Sequence, residues 1–273
     1  MMAAYYNEFN PLMASWLRDL IAAGLIAPGE VDERSITEVH PDDLNGFTQC
    51  HFFAGLGGWS YALRLAGVPD DFPCWTGSPP CQPFSVAGNQ QGLADARHLA
   101  PVFLRLICER HPPVLFGEQV AAAITKNWLD DLCTHLEDEN YACGSAVLPA
   151  CSIGAPHKRE RLFFGACSLA DTDRQRLQRI RPDHHPQGRQ KPDVRPAGLC
   201  SGAGDNRVDP LYGHWEGAHW VGCADGKWRP VESGLEPLAD GIPGRVVQLQ
   251  GYGNAIVPQL AAEFITAFTE ALC

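Results

Sequence analysis

The chain has 273 residues, 45% of them hydrophobic, with 21 Lys and Arg against 32 Asp and Glu for a formal net charge of −11. That length and apolar content supply a full core for one large domain, or for a catalytic domain with a small satellite, and exclude disorder throughout. The acidic balance excludes a protein that coats nucleic acid by charge alone, so any DNA contact has to come from a local basic patch.

The 11 cysteines are odd in number and contain no C-x-x-C pair, and the N-terminus shows no secretory pattern. Reduced, mostly buried thiols in a cytoplasmic protein are expected, not a disulfide framework or a zinc site. Arg, Asp or Glu interrupts every apolar stretch before it reaches membrane-spanning length. A soluble protein with no membrane partner and no metal is expected.

In chain order, Asn10 and Pro11 before an apolar-periodic stretch ending at Gly24 predict a helix, with Asn10 as its N-cap. A short strand and turn are expected within Val31 to Val39, broken by Pro41-Asp42-Asp43. The apolar run Phe47 to Phe53 stops at Ala54-Gly55-Leu56-Gly57-Gly58, and helical spacing resumes from Trp59 to Ala66. Strand, glycine-rich turn and helix in succession form a nucleotide-cofactor loop, because glycines let backbone N–H groups approach a ligand closely.

The alternation continues with strands at Cys74 to Gly77 and Pro113 to Gly117 and helices at Leu99 to Glu109 and Trp128 to Leu136. Strands at Cys143 to Leu148 and Arg161 to Ala166 follow. This pattern predicts an α/β sheet with helices on both faces. From about 168 to 241 the chain turns rich in Gly, Pro, Arg, His and Trp and loses both periods, which predicts a separate irregular lobe. Order returns at Pro258 to Leu272, a helix with Leu260, Phe264 and Phe268 on one face. Residues 1–167 and 242–273 therefore form one domain and 168–241 another.

Three further segments carry chemistry. Cys81 stands in Pro79-Pro80-Cys81-Gln82-Pro83-Phe84-Ser85, where prolines stiffen the loop and fix the aim of the sulfur, as a nucleophile requires. Glu118 directly follows a strand, where ligands bind in α/β sheets; desolvated there, it can keep a proton near neutral pH. Arg159 and Arg161, two apart at a strand start, point together and suit a carbonyl or a phosphate.

These segments together resemble the DNA (cytosine-5)-methyltransferases. The glycine turn, Pro80-Cys81-Gln82, Glu118-Gln119-Val120, His157-Lys158-Arg159-Glu160-Arg161 and Gly253-Asn254-Ala255-Ile256-Val257 stand in that family's order. Gln119 and His157 replace the family's usual Asn and Gln. The resemblance implies an S-adenosylmethionine-dependent fold of Rossmann type, with a target-recognition region in the 168–241 lobe. It implies a methyl transfer to C5 of cytosine in duplex DNA, through an adduct of Cys81 with C6 of a flipped base. Glu118, Arg159 and Arg161 then act with Cys81 in catalysis. Phe53, Ala54, Gly55, Leu56, Gly57, Gly58, Asn254 and Ala255 hold S-adenosylmethionine.

Only 26 positions separate Gly55 from Cys81. The family normally inserts two more strand–helix units there, carrying the acids that hold ribose and adenine. Asn7-Glu8-Phe9-Asn10 and Gly29-Glu30-Val31-Asp32 resemble those units. The expectation is a permuted order, with Glu8 on the ribose hydroxyls and Asp32, or else Glu30, on the adenine amine.

For DNA, Gln82 and Ser85 flank the nucleophile. Between Arg174 and Arg195 lie seven basic residues (Arg174, Arg176, Arg179, Arg181, Arg189, Lys191 and Arg195) against two acidic ones, a local excess of +5. The expected partner is double-stranded DNA bound by a monomer, with a restriction nuclease as possible companion, in a bacterial or phage-infected cell. A catalytically silent DNA-binding relative and an RNA cytosine methyltransferase are the alternatives.

Overall fold

The computed structural model describes residues 4–80, 99–126, 128–155, 158–170, 219–222, 228–231 and 254–272. Cys81, Gln82, Ser85, His157 and the basic run from Arg174 to Arg195 lie outside the described residues.

Five parallel strands and an antiparallel pair make one seven-stranded sheet. In chain order these are β1 (Ala4–Asn7), β2 (Gly29–Asp32), β3 (Gln49–Phe52), β4 (Cys74–Gly77), β5 (Val114–Val120), β6 (Tyr141–Pro149) and β7 (Glu160–Ser168). In space the order is β2-β1-β3-β4-β5-β7-β6, with β7 antiparallel to both β5 and β6. A two-stranded antiparallel ribbon, β8 (His219–Gly222) with β9 (Trp228–Val231), lies in the stretch expected to be irregular.

Among the described residues, five helices cover the sheet: α1 (Pro11–Ala22), α2 (Gly58–Leu65), α3 (Ala100–Arg110), α4 (Trp128–Asp138) and α5 (Pro258–Leu272). α1 starts as its sequence dictates, with Asn10 Oδ1 accepting from the N–H groups of Leu12 (3.0 Å) and Met13 (3.4 Å). It stops at Gly24, whose φ is +69°.

One strand is unmarked in the sequence, and the short strand and turn expected after the first helix take definite bounds. β1 was not anticipated; its four residues are all buried, with Tyr5 and Tyr6 packed on opposite faces, so no alternation marks it. The strand expected within Val31 to Val39 ends at Asp32. Ser35 and Glu38 form a capping box that winds residues 36–38 into a 3₁₀ turn.

One face of the sheet packs Phe52, Trp75 and Leu115 against Phe103 and Ile107 of α3 and Leu132 of α4. The other packs Phe116 and Phe163 against Trp59 of α2 and Leu260, Phe264 and Phe268 of α5. α5 fits because Gly144 and Gly165 leave room for a ring: a Cβ on either would lie 3.1 or 2.9 Å from Phe268. On this face β3 also buries His51, which stacks on Tyr6 at 4.9 Å and shares a 2.8 Å hydrogen bond with Thr76 Oγ1. Burial pushes its pKa down to about 3, so the ring is neutral.

The crossovers carry a signature. α1 packs Leu17 with Ala4 and Tyr6, and Ser60 of α2 meets the Tyr6 hydroxyl at 2.9 Å, so both helices lie on one face. Yet β1-α1-β2 steps one way along the sheet and β3-α2-β4 the other, so the two crossovers have opposite hands. β4-α3-β5 steps as β3-α2-β4 does but has its helix on the opposite face, so it shares the hand of β1-α1-β2. β3-α2-β4 is the odd one of the three. Since nearly all such units are right-handed, it is the left-handed one.

Candidate active site

Strand register brings the sequence motifs to one edge. Asp32, Asn7, Phe52, Gly77 and Gly117 are successive partners across β2, β1, β3, β4 and β5. The residues that follow this row are Glu8 after β1, Phe53 to Gly57 after β3, Ser78 to Pro80 after β4, and Glu118 next on β5. All lie at carboxyl ends of parallel strands. The direction of chain travel reverses between β1 and β3, and such a switch point opens a crevice for a ligand.

Glu8 and the glycine turn flank that crevice. Phe53, Gly55 and Gly57 have φ of +53°, +54° and +74°. Glycine takes this backbone without strain at the latter two positions, and Phe53 is held in it by its surroundings. Glu8 Oε2 accepts from Gly55 N–H at 2.7 Å and Oε1 from Asn10 N–H at 2.9 Å. Ala54 N–H donates to Asn7 O at 3.0 Å. The unit after β1 therefore grips the turn after β3, although 47 residues separate Glu8 from Gly55.

Asn7, to which the sequence alone assigns no role, ties two strands' exits together. Buried, it donates to the carbonyls of Arg34 (2.8 Å) and Asp32 (3.4 Å) and fixes how the chain leaves β2. The carboxylate of Asp32 accepts from Tyr5 Oη (2.7 Å), Arg34 N–H (2.9 Å) and the Arg34 guanidinium (2.7 Å). Burial opposes its charge, but these bonds hold its carboxyl below the usual range. It shares an open cleft of about 410 Å³ with Tyr5, Glu30, Arg34 and Phe47. Glu30 lines the same cleft and is exposed.

Glu118 is 8% exposed, with Phe163 its register partner and Arg161 one diagonal step away. Arg161 Nε approaches its Oε1 at 2.8 Å. Burial pushes the Glu118 carboxyl up to about 7, against the pull of Arg161 and Arg159. The group is thus poised between acid and carboxylate near neutrality. Next to it, Gln119 donates from Nε2 to Pro79 O at 3.2 Å and accepts Val120 N–H on Oε1 at 2.9 Å. Trp59 Nε1 donates to Ser78 Oγ at 2.9 Å. Two side chains therefore anchor the segment leading into Cys81, and Trp59 is a core residue stacked near Phe116.

Arg159 differs from its expectation. β7 starts at Glu160, so Arg159 is outside the strand, with φ +32°. Its Nη2 donates to Ala255 O at 2.7 Å. Ala255 is half-buried and Asn254 exposed. Ile256, next along, packs on Gly58, where a Cβ would lie 2.8 Å from Ile256 Cγ1. The segment near 255 thus reaches the start of α2, directly after the glycine turn. Among the described residues, no cluster of His, Cys, Asp and Glu could hold a metal, and no helix is long and apolar enough to cross a membrane.

The sequence model of the C-5 cytosine-specific DNA methylase family matches residues 65–196. Type II methyltransferase M.AplI from Arthrospira platensis is 40% identical over 154 residues, covering 43% of this chain and 45% of that protein. Type II methyltransferase M.HhaI from Haemophilus parahaemolyticus is 28% identical over 185 residues, 53% of this chain and 56% of that protein. The chain therefore spans about half the length of these curated relatives. A crystal structure of a Spodoptera frugiperda DNMT2 mutant superposes with a TM-score of 0.43 and 15% identity, covering 62% of this chain and 43% of that one.

Proposed function

We propose that the chain is a member of the C-5 cytosine-specific DNA methylase family, whose model matches residues 65–196, and that it methylates C5 of cytosine in double-stranded DNA. The observation that carries this reading is the buried Glu118–Arg161 pair at the end of β5, beside the strand that leads into Pro80-Cys81.

S-adenosylmethionine supplies the reaction with a methyl group on an electrophilic sulfonium. The crevice suits it. The positive-φ turn at Gly55 and Gly57 admits close approach, and the oxygens of Glu8 retain lone pairs for a ribose diol beside the two N–H groups they already hold. Asp32 or Glu30, in the cleft beyond β2, takes the adenine side. Phe53, Ala54, Leu56, Gly58, Asn254 and Ala255 complete the cradle.

Cytosine C5 is too poor a nucleophile to attack a methyl group unaided. The Cys81 thiolate adds to C6 and the C5–C6 π electrons become nucleophilic at C5. Glu118, carrying its proton, donates to N3 and neutralises the charge developing on the ring, while Arg161 donates to the ring carbonyl with the charge of Arg159 behind it. After C5 takes the methyl group, a base removes the C5 proton, the C6–S bond breaks and the thiolate returns. The target base leaves the helix stack to reach the site, at a cost of a few kcal/mol. Gln82, Ser85 and the basic run with Arg174, Arg176, Arg179 and Arg181 contact the DNA.

Bisulfite sequencing of host DNA after expression of the chain tests the reading. Protected cytosines in one sequence context, lost on Cys81→Ala, are expected. Full conversion of all cytosines in the expressing cells contradicts it.

A further inference from the structure

Two arginines precede and open β7, and they are bonded differently. Arg161 meets the carboxylate of Glu118, whereas Arg159 meets a backbone carbonyl 96 residues further along. We propose that Arg159 is a positioning residue that clasps the segment 254–257 to the entry of β7, so that one side chain sets both the glycine turn and the environment of Glu118.

Four observations support the clasp. The Nη2 to Ala255 O bond is 2.7 Å, short for a charged donor on a neutral acceptor, and its donor is half-buried. The backbone of Arg159 holds a positive φ that a non-glycine residue keeps only where the surroundings impose it. The next residue along from the clasped carbonyl, Ile256, is wedged on Gly58 at the start of α2, directly after the turn. Beyond it α5 begins at Pro258, its first turn closed by Ala261 N–H to Val257 O at 3.0 Å. The clasped segment thus lies between the glycine turn and the helix that packs on β5 and β7.

The charge of Arg159 also reaches Glu118, lowering its affinity for a proton. Among the described residues, the charged groups that act on Glu118 are Arg161 from β7 and Arg159 from the turn before it; the neighbouring Phe116 and Phe163 carry none.

The role in cofactor binding rests on reading residues 53–58 and 254–255 as the S-adenosylmethionine cradle; the clasp itself does not. The test therefore starts with the full chain free of cofactor. In Arg159→Met, amide hydrogen exchange in a peptide spanning 254–262 is expected to quicken at least fivefold, and the Glu118 carboxyl, followed by ¹³C NMR and assigned with Glu118→Gln, to titrate at higher pH. Arg159→Lys restores the charge and should return the titration towards the wild-type position, which a purely structural filler would not do. Unchanged exchange in 254–262, or an unmoved Glu118 midpoint, overturns the clasp. With S-adenosylmethionine added, calorimetric titration should show about tenfold weaker binding for Arg159→Met than for wild type. If the wild type itself binds none, the cradle reading fails, and the clasp stands or falls on the first two measurements.

Discussion

Glu118 illustrates how a single side chain can be set by its neighbours. Phe116 and Phe163 deny it water, and the arginines restrain the resulting rise, leaving a pKa of about 7 in the folded chain against an ordinary value of 4.5. Between those two values the folded state binds more protons than the unfolded one, so stability falls as pH rises through the window and is fully present below it. Glu118→Gln should remove this slope, worth ~3 kcal/mol across the window, while lowering kcat by about 10² to 10⁴. Urea melts of both proteins at pH 4 and pH 8 check the first part; parallel slopes contradict it. The residue types are legible in the sequence, but Glu118, expected directly after a strand, lies inside β5, which runs on to Val120. Its environment is not legible, because the diagonal to Arg161 exists only once β5 and β7 are paired antiparallel. The same holds for Arg159. Strand periodicity places it beside Arg161, but the strand starts one residue later, and its partner is too distant along the chain to be foreseen.

Elements with local signals are legible, as are the apolar runs of β3, β4 and β5, whereas β1 is not. α1 announces itself through Asn10, Pro11 and Gly24, whose effects are confined to neighbouring residues. α5 was legible through Leu260, Phe264 and Phe268 on one face. β1 carries no such mark because a central parallel strand is covered on both sides. The 3₁₀ turn at 36–38 falls where a short strand and turn are expected, and Ser35 with Glu38 is its readable sign. At this scale α5 matters most, since it anchors the segment beside the glycine turn. Phe268 packs on Phe116 at 5.5 Å and Phe264 at 5.9 Å and fills the space above Gly144 and Gly165. Phe268→Ala should cost about 3–5 kcal/mol, seen as a large fall in thermal midpoint; a loss under about 1 kcal/mol would show that the helix is not held there.

For the whole molecule, the left-handed β3-α2-β4 crossover is what the permuted order we propose would produce. If α2 led instead to β1, on the other side of β3, the step would reverse on the same face and the crossover would be right-handed. That rejoined order runs from the glycine turn to the Glu8 unit and then to the Asp32 unit, the order of the family that the motifs resemble. Permutation changes which residues are linked and leaves the crevice between β1 and β3 in place, with Glu8 still bonded to Gly55. The chemistry proposed for that crevice depends on one covalent event. Incubating the protein with S-adenosylmethionine and duplex DNA containing 5-fluorocytosine blocks loss of the C5 substituent, so a true adduct persists through denaturation. The account predicts a protein–DNA band whose digested peptide carries the nucleotide on Cys81, abolished by Cys81→Ala. Methylation without any such adduct, or an adduct on another residue, contradicts it.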